Sequence, residues 1–364
     1  MNEKRTGFSE KEYRALQNRD SYSSLALFDK SRKKYYRKYI LKEKDEEELS
    51  NAMILGNLCD CKLFTPEKFD EKFGMSSVNV GTTQLFEFAA ELYSLTLKAL
   101  NEEGEITREF SELMKEAFDN VKYDMNGVEV KFKKKDFAWL VTNFSGSDAE
   151  IFYKERRANH GKIVVGINQI QQADNLIADL FNTEWTSDVL EKVDDERWEV
   201  LNQLNFDNFE VENLPLKFMA DKVLIDHRNK EVSPYDLKVT WIAEDFPSNY
   251  RKNRYYLQNV VYRLGLLEWI KKERPDLKEY KLNFMKFIVG DSTRSCKPLI
   301  FTTNAQDLID GVGGFERNGY KYKGVLEICE EISWAKSMNL WDISKQNFMK
   351  NGIVEITTFE QNEE

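Results

Sequence analysis

The hydrophobic positions of the first half of the chain recur three to four residues apart. This spacing places apolar side chains along one face of a helix. Serine residues also precede one of the apolar runs, and Ser23 or Ser24 is predicted to be its N-cap. The predicted helices cover residues 9–18, 23–41, 46–64, 82–100 and 167–182.

From about residue 205 the apolar period changes to that of strands, in which alternate side chains share a face. Strands are predicted over 209–226 and 232–243, with the turn-forming segment HRNKE between them. A periodic helix over 254–273, ended by Pro275, follows. The later predicted elements are strands over 282–291 and 297–304 and a helix over 323–338. Strands that alternate with helices indicate an α/β core wrapped by added helices.

The length and composition are those of a globular protein with a large core. The chain has 364 residues, of which 41 % are hydrophobic and 32 % charged, and no Gly/Ser-rich joint divides it. We therefore predict one elaborated domain over 1–364. No apolar run is long enough for a membrane span, and the N-terminus lacks the apolar core of a secretory signal, so we expect a cytoplasmic protein without a membrane partner.

The four cysteines are few for this length and fit reduced thiols. Cys59 and Cys61 could form half of a metal site, but no second close pair completes it. Thiol-based metal binding is therefore the weaker interpretation.

The net charge of −10 argues against a protein that coats nucleic acid through its overall field. Three basic clusters nevertheless lie at residues 30–38, 131–137 and 250–256, and two of them contain tyrosines. Each is either a solvated face or part of a phosphate-lined groove. In the first cluster, Tyr35, Tyr36 and Arg37 could contact phosphates or a frayed base, or the tyrosines could pack in the core.

The second of the two strands carries acid and base close together. Asp236 and Lys238 lie two residues apart and so share one face of the strand. If the strand containing Asp221 is its antiparallel neighbour, two carboxylates and an ammonium meet at one place. A structural ion pair beside a hairpin is the simpler interpretation, but charges in a partly desolvated strand need a partner or a metal.

Aspartates are hard oxygen ligands that suit Mg²⁺ or Mn²⁺, which bind substrate phosphate in their remaining positions. Zinc is disfavoured because the chain holds only two histidines. Lys238 would orient or deprotonate the attacking water and stabilise the negative transition state. The set favours metal-dependent phosphodiester hydrolysis.

Four ordered segments resemble the PD-(D/E)xK nuclease superfamily, specifically its RecB-like and exonuclease VIII-like branch, which is often found in phages. The segment YSSLALFDKSRKKYYRKY is similar to the family's entry helix, and LGNLCDCKLFTPEKFDEKF to the helix that carries a glycine, matched by Gly56, and then a histidine, replaced here by Asp60. The pair of strands with Asp221, Asp236 and Lys238 comes next. Gln258 and Tyr262 then match the family's QxxxY signature.

The resemblance implies a fold, and we expect a restriction-endonuclease-like α/β core with a mixed central sheet flanked by helices and a large helical elaboration. It assigns the N-terminal core helices to 20–70 and the catalytic strands with the QxxxY helix to 205–300. A mainly helical insertion over 80–200 and a C-terminal region over 301–364 match no known part.

The resemblance also implies the site. Asp60, Asp221, Asp236 and the carbonyl of Leu237 would bind Mg²⁺ or Mn²⁺, and Lys238 would activate water. Gln258 and Tyr262 would support the site and touch the scissile strand. No iron–sulfur cluster is expected, because the cysteine spacing of relatives that hold one is absent.

The expected function is that of a metal-dependent DNA exonuclease acting on double-stranded ends in recombination or phage DNA processing. The resemblance further implies a ring-like homo-oligomer and a single-strand annealing protein as partner. Two alternatives stay open: an endonuclease on the same core, and a non-catalytic nucleic-acid-binding protein with a nuclease-like fold.

Overall fold

The computed structural model describes residues 10–16, 18–43, 49–81, 83–101, 103–121, 123–125, 128–130 and 135–353. The chain forms two compact units, one from residues 1–45 and 179–364 and the other from residues 46–178. Among the described helices none is both long and apolar enough to cross a membrane.

The first unit is built on a mixed six-stranded sheet, in agreement with the predicted mixed α/β fold. Its strands are β1 (Trp198–Val211), β2 (Leu214–Asp226), β3 (Glu231–Thr240), β4 (Lys281–Leu282), β5 (Lys286–Asp291) and β6 (Leu299–Thr302). The order across the sheet is β6-β5-β3-β2-β1, and β4 pairs with the start of β3. The β3–β5 and β3–β4 pairs are parallel, whereas β1–β2, β2–β3 and β5–β6 are antiparallel. Strand β3 therefore has one antiparallel and one parallel neighbour, and its carboxyl end, from Asp236 to Thr240, pairs with β5.

The segment predicted as one strand over 209–226 is a hairpin instead. Glu212 and Asn213 form a two-residue turn with φ values of 49° and 59°, the left-handed conformation that tight hairpin turns require. The period-2 pattern continues on both sides of this turn, so alternation alone does not show the break. Strand β1 begins at Trp198, whereas the change from a helical to a strand period is predicted at about residue 205.

The helices of the first unit flank the sheet. They are α1 (Tyr22–Lys30), α2 (Phe246–Lys252), α3 (Tyr255–Glu273), α4 (Ala305–Gly313) and α5 (Val325–Met338). Shorter helical segments are Glu10–Ala15, Arg32–Tyr35, Tyr36–Ile40, Glu184–Leu190 and Lys345–Met349. The prediction that α3 ends before Pro275 is confirmed.

The start of α1 differs from the prediction by two or three residues. Its N-cap is Ser21, not Ser23 or Ser24. The hydroxyl of Ser24 instead accepts the backbone N–H of Ser21 at 2.8 Å, as the third residue of a capping box does. Three serines within four positions are all suitable N-cap residues, so the sequence does not select between them.

Tyr35 belongs to the core and does not present a surface to phosphate. Its side chain is fully buried, and its hydroxyl donates to Asp20 Oδ1 at 2.8 Å. Lys336 donates to the other oxygen of Asp20 at 2.7 Å, so the buried carboxylate joins the N-terminal segment to α5. Of the two alternatives for this tyrosine, core packing is the correct one.

The second unit is mainly helical. Its helices are Asn51–Phe64, Phe69–Lys72, Gln84–Lys98, Phe110–Asn120, Phe137–Phe144, Asp148–Ala158 and most of Ile167–Phe181. Two small sheets accompany them, Phe73–Met75 with Ile163–Val165 in parallel and Tyr123–Met125 with Val128–Val130 antiparallel. Its core is formed by buried side chains that include Phe88, Leu92, Leu113, Leu140 and Phe144. Most of the basic cluster at 131–137 lies outside the described residues.

Helix α3 packs closely on the sheet at Gly265. A Cβ atom at this position would lie 2.2 Å from Phe218 Cδ1 and 2.6 Å from Phe218 Cε1, on β2. A contact below 3 Å forces the ring or the helix to move. The glycine therefore sets how near α3 can approach β2.

We predict that Gly265→Ala lowers the free energy of unfolding by about 1–3 kcal/mol, because the new methyl group overpacks against Phe218. Gly56→Ala is the matched control, since Gly56 lies inside a helix and a Cβ atom added there would meet no atom within 4 Å. That control should raise stability by up to about 1 kcal/mol through helix propensity. Urea unfolding of the two variants would contradict the assignment if both changes had the same sign.

Lys222 is a buried cation on β2. Its side chain is 3 % exposed and donates to the carbonyl of Leu190 at 3.0 Å. Burial lowers the pKa of this lysine to about 8. The unfolded chain therefore binds more protons than the folded protein between about pH 8 and 10.5, so in that window the stability of the wild type rises with pH.

We predict that Lys222→Met stabilises the protein by about 1–2 kcal/mol at pH 7, because it removes a desolvated ammonium. This advantage should shrink as the pH rises from 8 to 10.5. Denaturant unfolding at several pH values checks it, with the exposed Lys281→Met as a control that should show no such trend. An advantage that grows with pH would contradict the burial argument.

Candidate functional site

The two strands that carry the predicted acids pair as expected from the sequence. Strands β2 and β3 are antiparallel, with Lys222 opposite Tyr235 and Asp226 opposite Glu231. The pairing brings the carboxylate of Asp221 beside β3, where its Oδ2 accepts the backbone N–H of Leu237 at 2.7 Å. Asp221 thus contacts the peptide that lies between Asp236 and Lys238.

The Asp236 carboxylate is almost fully enclosed. Only 2 % of its surface is exposed, so its charge is removed from bulk water. The Lys238 ammonium donates to Asp236 Oδ2, and Gln258 Nε2 donates to Oδ1 at 2.5 Å. Each carboxylate oxygen therefore has a donor, as a buried carboxylate requires.

Lys238 is held as a cation. Burial lowers the pKa of this lysine, but the charge of Asp236 and the further influence of Tyr255 and Asp221 outweigh burial, so the net pKa is raised. Its Nζ also lies 4.8 Å from the centre of the Tyr255 ring and 5.9 Å from that of Phe287. At neutral pH this arrangement presents a fixed ammonium beside two carboxylates.

Helix α3 fixes both strands through Gln258 and Tyr262, which lie four residues apart on one helical face. Gln258 holds Asp236 on β3, and the hydroxyl of Tyr262 donates to the carbonyl of Met219 on β2 at 2.5 Å. The Tyr262 ring also packs against Phe218, with ring centres 5.4 Å apart. Gln258 thus contacts Asp236 directly and Tyr262 contacts the backbone of β2, whereas their support of a catalytic site and their contact with a DNA strand stay predictions.

The carbonyl of Leu237 leaves the strand on the side of Asp221. In an extended strand the N–H and C=O of one residue point to the same edge, and the N–H of Leu237 points to Asp221. This direction agrees with the predicted role of the carbonyl as a ligand. The role itself stays a prediction.

The donor set fits a hard divalent cation that keeps much of its hydration. It offers two carboxylates, and the buried Oε1 of Gln258 has no hydrogen-bond partner among the described residues. Within the described parts of the chain, no three His, Cys, Asp or Glu side chains form a group that could hold a metal ion. Mg²⁺ is commonly bound through one or two carboxylates plus water and substrate phosphate, which is what this set provides.

Asp60 lies on the helix Asn51–Phe64 of the second unit, partly exposed. Burial, and then the charge of Asp60, raise the pKa of the neighbouring Cys59 thiol to about 12. The four cysteines are free thiols. Whether Asp60 joins the metal ligands stays a prediction.

The structure adds residues that the sequence did not single out. Tyr255 and Phe287 flank Lys238, and in the sequence Tyr255 is marked only by its place in the basic cluster at 250–256. In that cluster Arg254 is buried and pairs with Asp29 at 2.5 Å, so this arginine does not line a phosphate groove. Gln203, which lies between the Asn202–Lys222 and Leu204–Ala220 pairs, has a φ of 51°, a left-handed conformation inside a strand that no sequence signal marks.

Comparison with known proteins gives distant structural similarity but no match in sequence. No protein-family model matches the chain, and no curated protein is similar to it in sequence. Among solved structures, a predicted exonuclease from Eubacterium rectale is 12 % identical, over 97 % of this chain and 96 % of its own, with a TM-score of 0.45. At this identity and TM-score the similarity carries no argument for the fold or the function.

We predict that Tyr262→Phe lowers the free energy of unfolding by about 1–2 kcal/mol, because it leaves the carbonyl of Met219 without its donor. Tyr250→Phe is the matched control, since the Tyr250 hydroxyl is buried with no hydrogen-bond partner among the described residues. The control should be neutral or slightly stabilising. Equal losses for the two variants in denaturant unfolding would show that the Tyr262 hydroxyl does not hold β2.

Proposed function

We propose that the protein is a metal-dependent deoxyribonuclease that hydrolyses phosphodiester bonds from double-stranded DNA ends. The observation that carries the proposal is the meeting of Asp221, Asp236 and Lys238 at the β2–β3 pair, where Asp221 accepts the N–H of Leu237 and the Lys238 ammonium donates to Asp236. An ion pair alone would not require a second carboxylate at this place, because like charges repel.

Asp221 and Asp236 would hold Mg²⁺ or Mn²⁺, together with the Leu237 carbonyl. When bound, such an ion polarises the scissile phosphate and lowers the pKa of a coordinated water. The protein's own part is to hold the two carboxylates in place while the substrate binds.

Lys238 would act mainly through its charge. Its raised pKa means that the ammonium is protonated at neutral pH, so it can donate to a water or to a phosphate oxygen and offset the charge that develops in the transition state. Of the two roles expected from the sequence, orientation with charge stabilisation is favoured over proton abstraction by the free amine.

Gln258 and Tyr262 would act as positioning residues. Gln258 keeps Asp236 in place from behind the sheet, and Tyr262 fixes the backbone two residues before Asp221. The resemblance to the exonuclease VIII-like branch supports a role in recombination or phage DNA processing. It also supports a homo-oligomer and a single-strand annealing protein as partner.

The test is the degradation of an end-labelled linear duplex and of a covalently closed circle, each with Mg²⁺, Mn²⁺ or EDTA. We expect loss of the linear DNA alone, abolished by EDTA and lowered at least about a hundredfold by Lys238→Ala, because one fixed charge at the reaction centre is removed. Lys281→Ala, a change at an exposed lysine on the same sheet, is the matched control and should keep full activity.

Each other outcome selects a different function. Cleavage of the circle would replace the exonuclease by an endonuclease on the same site. Absence of metal-dependent cleavage of either DNA, with a folded protein whose melting temperature Mn²⁺ does not raise, would favour a non-catalytic nucleic-acid-binding protein.

A further inference from the structure

The residue that follows β3 is an exposed tryptophan. Trp241 is 75 % exposed, whereas the next most exposed tryptophan of the chain, Trp185, is 44 % exposed and Trp269 and Trp341 are nearly enclosed. Trp185 also anchors its indole N–H on the carbonyl of Pro298 at 2.8 Å. A solvent-exposed indole contributes little hydrophobic stabilisation to the fold. Folding therefore does not explain a tryptophan at this position.

The backbone on both sides of Trp241 is held firmly. The hydroxyl of Thr240 donates to the carbonyl of Ile242 at 2.8 Å, and the N–H of Ser292 donates to the carbonyl of Thr240 at 2.8 Å. The N–H of Ala243 donates to Asp291 Oδ2 at 3.3 Å. The indole is therefore presented on a fixed segment of chain rather than on a loose loop.

Asp291 anchors this segment from the neighbouring strand β5. Its carboxylate is 3 % exposed and accepts from the N–H of Thr293 at 2.8 Å and from its hydroxyl at 2.7 Å. The thiol of Cys296 donates to the same carboxylate at 2.8 Å. This buried carboxylate ties the bend after β3 to the loop after β5, and it leaves Trp241 on the outside of both.

Trp241 lies three residues beyond Lys238 and one residue past the end of β3, a separation of about 10 Å along an extended chain. A nucleic-acid strand with one phosphate at Asp221, Asp236 and Lys238 would carry its neighbouring nucleotides within reach of the carboxyl end of β3. Aromatic faces bind such bases by stacking, independently of sequence.

The net charge of the protein makes an uncharged contact important for holding a nucleic-acid strand. At −10 the overall field repels a polyanion, so phosphate contacts alone are a poor source of affinity. Stacking on an indole has no such dependence on the field and loses little as salt rises, in contrast to phosphate contacts.

We propose that Trp241 stacks on an unpaired nucleobase of the substrate strand, next to the phosphate held by the β2–β3 site. The inference rests on the proposed function, because that function places the strand at the end of β3. The substrate is thereby one in which at least one base near the cut is unpaired, as at a single-stranded or frayed end.

The test measures binding of a short, fluorescently labelled oligodeoxythymidine in EDTA, which separates binding from metal-dependent cleavage. We expect Trp241→Ala to weaken binding about 5- to 150-fold, the range that corresponds to loss of one base stack. Trp241→Phe should recover most of the affinity, and Trp185→Phe, the matched control, should leave it unchanged. The factor lost should be similar at low and high salt.

A set of oligonucleotides with one abasic site at successive positions identifies the stacked base. At one position the missing base should weaken wild-type binding as much as Trp241→Ala does, and it should have no further effect on the variant. Equal affinity of Trp241→Ala and wild type, or abasic penalties that are the same in both, would overturn the proposal.

Two further outcomes distinguish base stacking from self-association and from the proposed nuclease activity. If Trp241→Ala changes the sedimentation of the protein without DNA and leaves DNA binding intact, the indole packs against a second copy of the chain and the proposal is wrong. If no cleavage is found while the coupling between Trp241 and one base persists, the nuclease proposal fails and the stacking site stands.

Discussion

The burial of the Asp236 carboxylate is the constraint on which the site depends. A charge that is almost removed from water must have donors on both oxygens, and here the donors come from two elements, Lys238 on its own strand and Gln258 on helix α3. The position of α3 along the sheet and its rotation about its own axis are therefore both constrained. Any shift that moved Gln258 away would leave the buried carboxylate with one hydrogen-bond donor instead of two.

The packing of α3 on the sheet meets this requirement. Gly265 lets the helix approach β2 until the Phe218 ring fills the space where a side chain would stand. Two turns earlier along the helix, Gln258 then reaches β3, and between these positions Tyr262 reaches the backbone of β2. Apolar packing and the polar contacts of the site are in this way two parts of one helix–sheet interface.

The parallel β3–β5 pair gives the far end of the site a similar support. Thr240 faces Asp291 across this pair, and the buried carboxylate of Asp291 organises the turns that follow both strands. The carboxyl end of β3 is consequently rigid on both sides, while the residue between these anchors, Trp241, stays in solvent. A fixed backbone with an exposed aromatic ring is suited to binding from solution because little conformational entropy is lost on contact.

The sequence by itself determined the local features of this protein. Helical periodicity located α3 and its end before Pro275, and alternation placed Asp236 and Lys238 on one face of a strand, since both patterns follow from the period of the backbone. The tertiary structure decided what local periods cannot encode. The turn at Glu212 and Asn213 interrupts no alternation, the cap at Ser21 competes with two nearby serines, and Tyr35 and Arg254 become buried through contacts with distant residues. The partners of Asp236, the cation–π neighbours of Lys238 and the exposure of Trp241 likewise depend on which elements meet in space, because burial and charge compensation belong to the assembled fold and not to any one segment of the chain.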